Sequence, residues 1–297
     1  MTKTLEERLT IGLVGLGLMG GSAAKALKTK TPHRVLAFDR DPDTLARALA
    51  DGSADGLLKD PCGSQCPYAG GALRECDLVL LALYPQAAID FVAEFGGALK
   101  PGALVIDFCG VKRAVAGALE AAAREKGFRY IGGHPMAGLA RSGYNYAKAS
   151  LFEGASMILT PSKAPEDAER HWLEGFFRSL GFGGVKWSAA DEHDRIIAYT
   201  SQLAHVLSSA YVKSPTALTH QGFSAGSFQD MTRVAWLNEE MWTELFLDNG
   251  DYLAEEIEGL AQRLLTYSRA IREGKRDELR ELLAEGRRRK EIVENNR

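Results

Sequence analysis

The chain has 297 residues, of which 45% are hydrophobic and 25% charged, and its formal net charge is −3. This length allows two domains of ordinary size, and the charge argues against a nucleic-acid partner. The first ten residues lack the apolar stretch of a secretion signal, and no apolar run is long enough to cross a bilayer. We therefore expect a cytoplasmic protein that binds neither nucleic acid nor membrane.

Short apolar runs alternate with helix-like segments through the first two-thirds of the sequence. Strands are predicted at residues 9–15, 34–39, 77–83, 103–107, 129–132, 157–160 and 184–188, and helices at residues 20–30, 42–50 and 165–180. Such alternation implies an α/β fold, in which a Rossmann-type parallel sheet carries helices on both faces. Residues 51–75 are rich in Gly, Pro and Cys and are predicted to form a surface loop.

After residue 188 the strand signals cease, and apolar residues recur at helical spacing, as at Leu253, Ile257 and Leu260. We predict an α/β domain over residues 1–188 and an all-α domain over residues 189–297. Helices with much apolar surface often pack in dimers, so a homodimer through the helical domain is expected.

The cysteines are too few for a disulfide framework in a chain of this size. Cys62 and Cys66 are four residues apart, but a metal site would need two more ligands, and no nearby His or Cys has zinc spacing. We expect reduced thiols and no metal.

A glycine-rich segment follows the first predicted strand and opens the first predicted helix; it reads Gly15-Leu16-Gly17-Leu18-Met19-Gly20. The first glycine suits the tight turn, the second lets backbone approach a pyrophosphate, and the third allows close helix–strand packing. Amides at the helix start bind the phosphate charge. The spacing predicts a dinucleotide site.

An acidic residue, Asp39, closes the second predicted strand at the interval expected after Gly20. Its carboxylate would accept hydrogen bonds from the adenosine ribose and repel a 2′-phosphate. This favours NAD over NADP as cofactor, a preference that the neighbouring Arg40 weakens.

Three later segments carry more specific information. The first is Ile-Gly-Gly-His-Pro-Met-Ala-Gly at residues 131–138. The second is His193-Asp194, followed by Ser-Gln-Leu-Ala-His at residues 201–205. The third is Asp-Met-Thr-Arg-Val-Ala at residues 230–235, followed by Met241-Trp242. In this order they resemble the prephenate dehydrogenase family, which includes arogenate dehydrogenases, over nearly the whole chain.

The resemblance implies NAD-dependent oxidative decarboxylation of a cyclohexadienyl substrate in tyrosine biosynthesis. It implies that His134 takes the proton of the ring hydroxyl, because a histidine titrates near neutrality. The guanidinium of Arg233 is predicted to pair with a substrate carboxylate. Other predicted contacts are His205, Gln202 and Trp242 for the substrate and Lys112 for the nicotinamide end of the cofactor.

The chain departs from the family pattern at two functional positions. Gly110 replaces a serine that commonly assists the catalytic histidine, and Gln202 replaces a histidine. These changes leave prephenate and arogenate open as substrates.

Two other classes compete with this interpretation. β-Hydroxyacid dehydrogenases and imine reductases share the glycine-rich loop and a helical second domain, but they usually carry a lysine in a helix corresponding to residues 191–212, where this chain has none. A non-catalytic NAD sensor would not require His134 and Arg233.

Overall fold

The computed structural model describes residues 7–58, 72–139 and 141–295. Its strands form one sheet in the order β3-β2-β1-β4-β5-β6-β7-β8. The strands are β1 (Thr10–Val14), β2 (Arg34–Phe38), β3 (Gly56–Leu57), β4 (Leu78–Leu81), β5 (Leu104–Asp107), β6 (Arg129–Pro135), β7 (Ser156–Thr160) and β8 (Gly184–Trp187).

Five α-helices connect or follow these strands, and the remaining six form the C-terminal part of the described chain. The first group is α1 (Leu18–Lys30), α2 (Pro42–Ala50), α3 (Pro85–Phe95), α4 (Arg113–Lys126) and α5 (Asp167–Ser179). The second group is α6 (Ala190–Ile197), α7 (Leu203–Val212), α8 (Gly226–Thr232), α9 (Glu239–Asp248), α10 (Gly250–Arg272) and α11 (Arg276–Asn295).

The central strands are apolar throughout because both faces of the sheet are covered. β4 and β5 are buried along their whole length, as expected for parallel strands between two helical layers. Leu13 of β1 belongs to a core that includes residues of α1 and α5. The neighbouring Val14 belongs to a second core with residues of α3 and α4. The predicted α/β fold is confirmed.

One strand runs against the predicted parallel direction. β7 pairs with β6 in antiparallel register, from Gly132 opposite Thr160 to Pro135 opposite Met157. The described residues between the two strands form a single 3₁₀ turn, Tyr144–Tyr146, and no α-helix. A parallel strand at this position would require a long crossover connection, which is usually helical. The chain instead turns back after β6, and β7 runs antiparallel beside it.

The pairing with β7 extends β6 to Pro135, three residues past its predicted end. His134 therefore lies within a strand and not just beyond it. A strand fixes its backbone through hydrogen bonds to neighbours, which holds the histidine more firmly than a loop would.

The predicted surface loop at residues 51–75 is partly incorrect. Within it β3 pairs with β2, and Ala54 and Leu58 are buried. Cys62 and Cys66 lie outside the described residues. Cys76 and Cys109 are buried free thiols, and the described ranges contain no group of three or more potential metal ligands.

Residues 189–295 contain helices and turns but no strand, as predicted for the second domain. Among the helices that the structure describes, none combines the length and apolarity that crossing a membrane requires.

Candidate active site

The glycine-rich loop follows β1 with the geometry that its spacing predicts. Gly15 has a φ of +88°, and a Cβ atom there would lie 2.5 Å from the carbonyl oxygen of Ala82. A Cβ atom at Gly20 would overlap the carbonyl oxygen of Gly15. The turn and the helix–strand contact thus exclude side chains at both positions.

The middle glycine, Gly17, is not required by steric contacts within the protein. Gly17 is exposed, and a Cβ atom on it would meet no atom within 4 Å. It caps α1 without a side-chain hydrogen bond, and Leu18 and Met19 begin the helix. The first N–H groups of a helix lack intrahelical partners, so they are available to an anion such as a pyrophosphate.

These two kinds of glycine predict separable mutant effects. Gly20→Ala should lower the free energy of unfolding by several kcal/mol, because steric overlap with backbone cannot relax cheaply. Gly17→Ala should leave stability within about 0.5 kcal/mol but weaken NAD binding by at least about tenfold, the effect of 1.4 kcal/mol. Denaturant unfolding and NAD titration of both variants test this; equal stability loss in the two would contradict it.

Asp39 follows β2 and faces the same loop. Its Oδ2 accepts a hydrogen bond of 2.6 Å from the N–H of Leu16, and its Oδ1 accepts one of 2.9 Å from the N–H of Asp41. The carboxylate therefore ties the end of β2 to the glycine-rich loop. It remains partly exposed, and Arg40 beside it is exposed, so both can meet a ligand at this edge.

His134 lies at the carboxyl end of β6, three strands from β1 in the sheet order. At about 4.8 Å per strand this places the histidine roughly 14 Å from the glycine-rich loop along one sheet edge. Ligands of open α/β sheets bind at this edge. The residue as a whole is half-buried.

The imidazole of His134 is held by a residue of the helical part. Its Nδ1 lies 2.9 Å from Nε2 of His193, and Nδ1 of His193 lies 2.7 Å from Oδ1 of Asp194. The carboxylate of Asp194 is wholly buried and accepts backbone hydrogen bonds of 2.8 Å from Lys112 and Arg113 at the start of α4. Helix α6 thereby reaches the sheet edge.

Burial sets the charge state of both rings. It lowers the pKa of His134 well below the ordinary value, and repulsion from His193 whenever that ring is protonated, together with the charge of Lys112, lowers it further. Burial also lowers the pKa of His193, although its hydrogen bond to Asp194 opposes the shift. Both imidazoles are therefore neutral at neutral pH, and a neutral His134 is the form that can accept a proton.

Gly110 faces the other nitrogen of the same ring. A Cβ atom at Gly110 would lie 4.0 Å from Nε2 of His134 and 3.4 Å from Cδ2 of Leu245. The position at which the family resemblance expects a serine is thus beside the imidazole. In this chain, Nε2 of His134 has no hydrogen-bond partner among the described residues.

Lys112 does not have the predicted place. Its side chain is wholly buried; its ammonium pairs with the carboxylate of Asp107 and donates a hydrogen bond of 2.6 Å to the carbonyl oxygen of Gly133. The other Asp107 oxygen accepts a hydrogen bond of 2.7 Å from the hydroxyl of Tyr130. The side chain is enclosed by the protein and joins the ends of β5 and β6.

Gln202 is also placed differently from the prediction. Its amide is buried in a π-helical turn, Ala198–Gln202, where Nε2 donates a hydrogen bond of 2.8 Å to the carbonyl oxygen of Leu245. Its Oε1 accepts one of 2.7 Å from Nδ2 of Asn249. Both ends of the amide are occupied, so Gln202 links helices rather than facing a substrate.

The structure brings the other three predicted substrate residues together. The rings of His205 and Trp242 have their centroids 4.0 Å apart, and Nδ1 of His205 donates a hydrogen bond of 2.9 Å to the carbonyl oxygen of Ser201. Burial lowers the pKa of His205, and the charge of Arg233 lowers it further. Arg233 itself is exposed, so its guanidinium is accessible to an anionic ligand.

His193 and Asp194 have no predicted role, although they belong to one of the family motifs. The available signal was an adjacent His-Asp pair at the beginning of a domain. It was insufficient because only the packing of α6 on the sheet brings this pair to His134.

A glycine-rich turn after β1, an acidic residue after β2 and a neutral imidazole at the same sheet edge together define a Rossmann-type nicotinamide-dependent dehydrogenase. The class is confirmed by comparison with known families. The family model described as "Prephenate dehydrogenase, nucleotide-binding domain" matches residues 23–181, and "Prephenate dehydrogenase, dimerization domain" matches residues 189–285. The chain belongs to the prephenate dehydrogenase family, as its motifs indicated.

Individual relatives agree. The chain is 31% identical to a cyclohexadienyl dehydrogenase of Zymomonas mobilis over 252 residues, and this aligned region covers 82% of each protein. It is 28% identical to a prephenate dehydrogenase of Bacillus subtilis, over 84% of this chain and 66% of that one.

Solved structures show the same relationship. Prephenate dehydrogenase from Aquifex aeolicus, in complex with hydroxyphenyl propionate and NAD+, superimposes with a TM-score of 0.81 at 26% identity, over 97% of this chain and 99% of that one. Synechocystis arogenate dehydrogenase gives a TM-score of 0.76 at 25% identity, over 96% and 100%. An imine reductase from Pseudomonas, with a TM-score of 0.53 and 13% identity, shares the fold alone.

Proposed function

We propose that this chain catalyses the NAD-dependent oxidative decarboxylation of prephenate to 4-hydroxyphenylpyruvate in tyrosine biosynthesis. The observation that carries the proposal is the position of the His134 imidazole, which is held at Nδ1 by His193 and whose Nε2 has no hydrogen-bond partner among the described residues, at the sheet edge that also carries the glycine-rich loop. Membership of the prephenate dehydrogenase family supports the reaction class.

The residues at the edge of the sheet fit a dinucleotide. Gly17 leaves open space where a pyrophosphate can approach backbone, and Leu18 and Met19 offer the first N–H groups of α1. Asp39 would accept hydrogen bonds from the adenosine ribose, with Arg40 beside it. Bound NAD supplies the hydride acceptor. The relative from Aquifex aeolicus, solved with NAD+, supports this choice of cofactor.

His134 supplies the acid–base chemistry. As the ring carbon loses hydride, the hydroxyl on it must lose its proton, and Nε2 of His134 takes up that proton. Loss of the ring carboxylate as carbon dioxide then makes the ring aromatic, with a phenolate oxygen that regains a proton from His134 or from water. A base with a lowered pKa returns the proton readily.

The cluster of His205, Trp242 and Arg233 is proposed to hold the substrate. A dicarboxylate needs a cationic partner, and the exposed guanidinium of Arg233 can form two parallel hydrogen bonds with a carboxylate. The rings of His205 and Trp242, which are tilted by 31° to each other, provide an aromatic surface against which a six-membered ring can pack.

We place the domain boundary between residues 188 and 189, where the sheet ends and the helical part begins. The helical domain is proposed to form a homodimer. The match to a dimerization domain supports this, and so does the exposure of large apolar side chains on the helical part, such as Phe223 and Trp236.

The assignment is tested by incubating purified protein with NAD and either prephenate or arogenate. We expect NADH and 4-hydroxyphenylpyruvate from prephenate. Arogenate, the second candidate substrate, would yield tyrosine directly, and the similarity to an arogenate dehydrogenase makes it a specific alternative. A folded, NAD-binding preparation that is inactive toward both substrates would disprove the function.

Asp39 is predicted to set the choice of cofactor. Asp39→Ala and Asp39→Asn should both lower the ratio of kcat/KM for NAD to that for NADP by at least about tenfold, because one charge-assisted hydrogen bond contributes about 1.5–3 kcal/mol. The side-chain oxygen of asparagine can still accept the hydrogen bond from the N–H of Leu16, so only Asp39→Ala should also loosen the glycine-rich loop. Asp43→Asn, at the exposed start of α2, is the control; an unchanged ratio in the Asp39 variants would assign selectivity to another residue.

A further inference from the structure

We infer that His193 and Asp194 are positioning residues that hold His134 in the tautomer whose Nε2 is unprotonated. This inference rests on the proposed role of His134 as the base. The three side chains form a continuous hydrogen-bonded series, called here the Asp-His-His series: Oδ1 of Asp194 to Nδ1 of His193 at 2.7 Å, then Nε2 of His193 to Nδ1 of His134 at 2.9 Å.

The carboxylate determines the direction of every proton in the series. An ionised carboxylate only accepts hydrogen bonds, so Nδ1 of His193 must carry its proton toward Asp194. A neutral imidazole with a proton on Nδ1 has a lone pair on Nε2, which can only accept. Nδ1 of His134 therefore donates, and its Nε2 is left with the lone pair that accepts the substrate proton.

Asp194 is itself fixed from outside the series. Its Oδ1 and Oδ2 accept backbone hydrogen bonds of 2.8 Å from Lys112 and Arg113 respectively. These N–H groups lie at the start of α4, where the helix dipole favours a negative charge. The side chain is wholly buried, so water does not compete, and its backbone donors do not titrate.

No other described residue is hydrogen-bonded to the imidazole of His134. The position beside Nε2 is Gly110, which has no hydroxyl to hold the ring from that side. The Asp-His-His series acts from Nδ1 instead, and it leaves Nε2 free for the substrate. It also stabilises the imidazolium that forms when His134 takes up a proton, as a carboxylate does behind the histidine of a Ser-His-Asp triad.

A purely structural alternative would be that these contacts only attach α6 to the sheet. The proton positions are the first test, because ¹⁵N NMR of the imidazoles reports them without any substrate, and the variants of His193 below separate the two interpretations. In the wild-type protein at pH 8, with the His134 signals assigned by their absence in His134→Asn, we expect a protonated Nδ1 and an unprotonated Nε2. A protonated Nε2 on His134 would overturn the inference.

Asp194→Asn should remove the negative charge behind the series. In either orientation the amide nitrogen of the asparagine faces a backbone N–H, that of Lys112 or that of Arg113, so His193 loses its anionic acceptor. We expect kcat to fall by about a hundredfold or more with little change in KM. A folded Asp194→Asn protein whose kcat stays within about threefold of wild type would contradict the inference.

A second pair of variants does not depend on Asp194→Asn folding. The amide of His193→Gln extends to the region of Nε2 and can still accept from His134, whereas that of His193→Asn extends only to the region of Nδ1 and reaches Asp194 alone. We expect kcat within about tenfold of wild type for glutamine and a loss of about a hundredfold for asparagine. If both variants lost kcat equally, and in proportion to a fall in melting temperature, the role of His193 would be structural and the inference would be overturned.

The outcomes separate this inference from the proposed function. A wild-type protein inactive on both substrates, but with Nε2 of His134 unprotonated, would disprove the function and retain the positioning. A protein that is active but has Nε2 of His134 protonated would retain the proposed function and disprove the positioning role.

Discussion

Replacing His134 with asparagine is expected to lower kcat by about 10²- to 10⁴-fold, the contribution typical of a general base, while KM changes by less than about threefold. The asparagine amide occupies the region of Nδ1 and can keep the contact with His193. The variant therefore removes Nε2 and little else.

Initial rates of NADH formation over a range of substrate concentrations provide the measurement, with a separate titration of NAD to show that the cofactor still binds. His171→Asn, which changes an exposed histidine on α5, is the matched control and should retain wild-type rates. A rise in KM at unchanged kcat would show that His134 binds the substrate rather than acting as its base.

The same histidine predicts the pH dependence of the wild-type enzyme. Because burial lowers the pKa of His134 below 6.5, the neutral base persists as pH falls through 6.5. The acid limb of kcat/KM for the free enzyme should therefore lie well below pH 6.5, and activity should be lost only as the ring becomes protonated. A limb centred above pH 6.5 would contradict the assignment.

Lys112→Met is expected to lower the free energy of unfolding by about 3–5 kcal/mol, the usual loss when one partner of a buried ion pair is removed. Methionine is similar in length and remains compatible with packing. The carboxylate of Asp107, also wholly buried, would then keep only neutral donors among the described residues, namely the hydroxyl of Tyr130 and the N–H groups of Cys109 and Gly133.

Denaturant unfolding of three variants tests this interpretation. Lys186→Met, at an exposed position of β8, should change stability by no more than about 0.5 kcal/mol. The double variant Asp107→Asn with Lys112→Met removes both charges and should be more stable than Lys112→Met alone. If Lys112→Met were as stable as Lys186→Met, the ion pair would not hold β5 to β6.

Lys112 also connects stability to the active site. Its ammonium donates to the carbonyl oxygen of Gly133, next to His134, and its backbone N–H donates to Asp194. One residue thus supports both the strand that carries the base and the carboxylate proposed to orient it. Loss of the ammonium should therefore also lower kcat, through displacement of the end of β6.

The sequence by itself was sufficient for the features that depend on local backbone chemistry. The glycine-rich loop was predictable because a positive φ at Gly15 and a close contact at Gly20 exclude other residues whatever surrounds them. The position of Asp39 follows from the length of one strand–helix–strand unit. The motif around His134 identified the family because its residues are adjacent in the chain.

Only the tertiary structure decided the features that depend on which elements pack together. The sequence predicts Lys112 as a cofactor contact and Gln202 as a substrate contact, yet both side chains are buried in hydrogen-bond networks. Burial depends on neighbours that are distant in sequence, so the motifs alone do not reveal it. β7 runs antiparallel to β6 because the described residues between the two strands contain no helical crossover. His193 meets His134 across 59 residues of chain, so their pairing arises from docking of the helical part on the sheet edge.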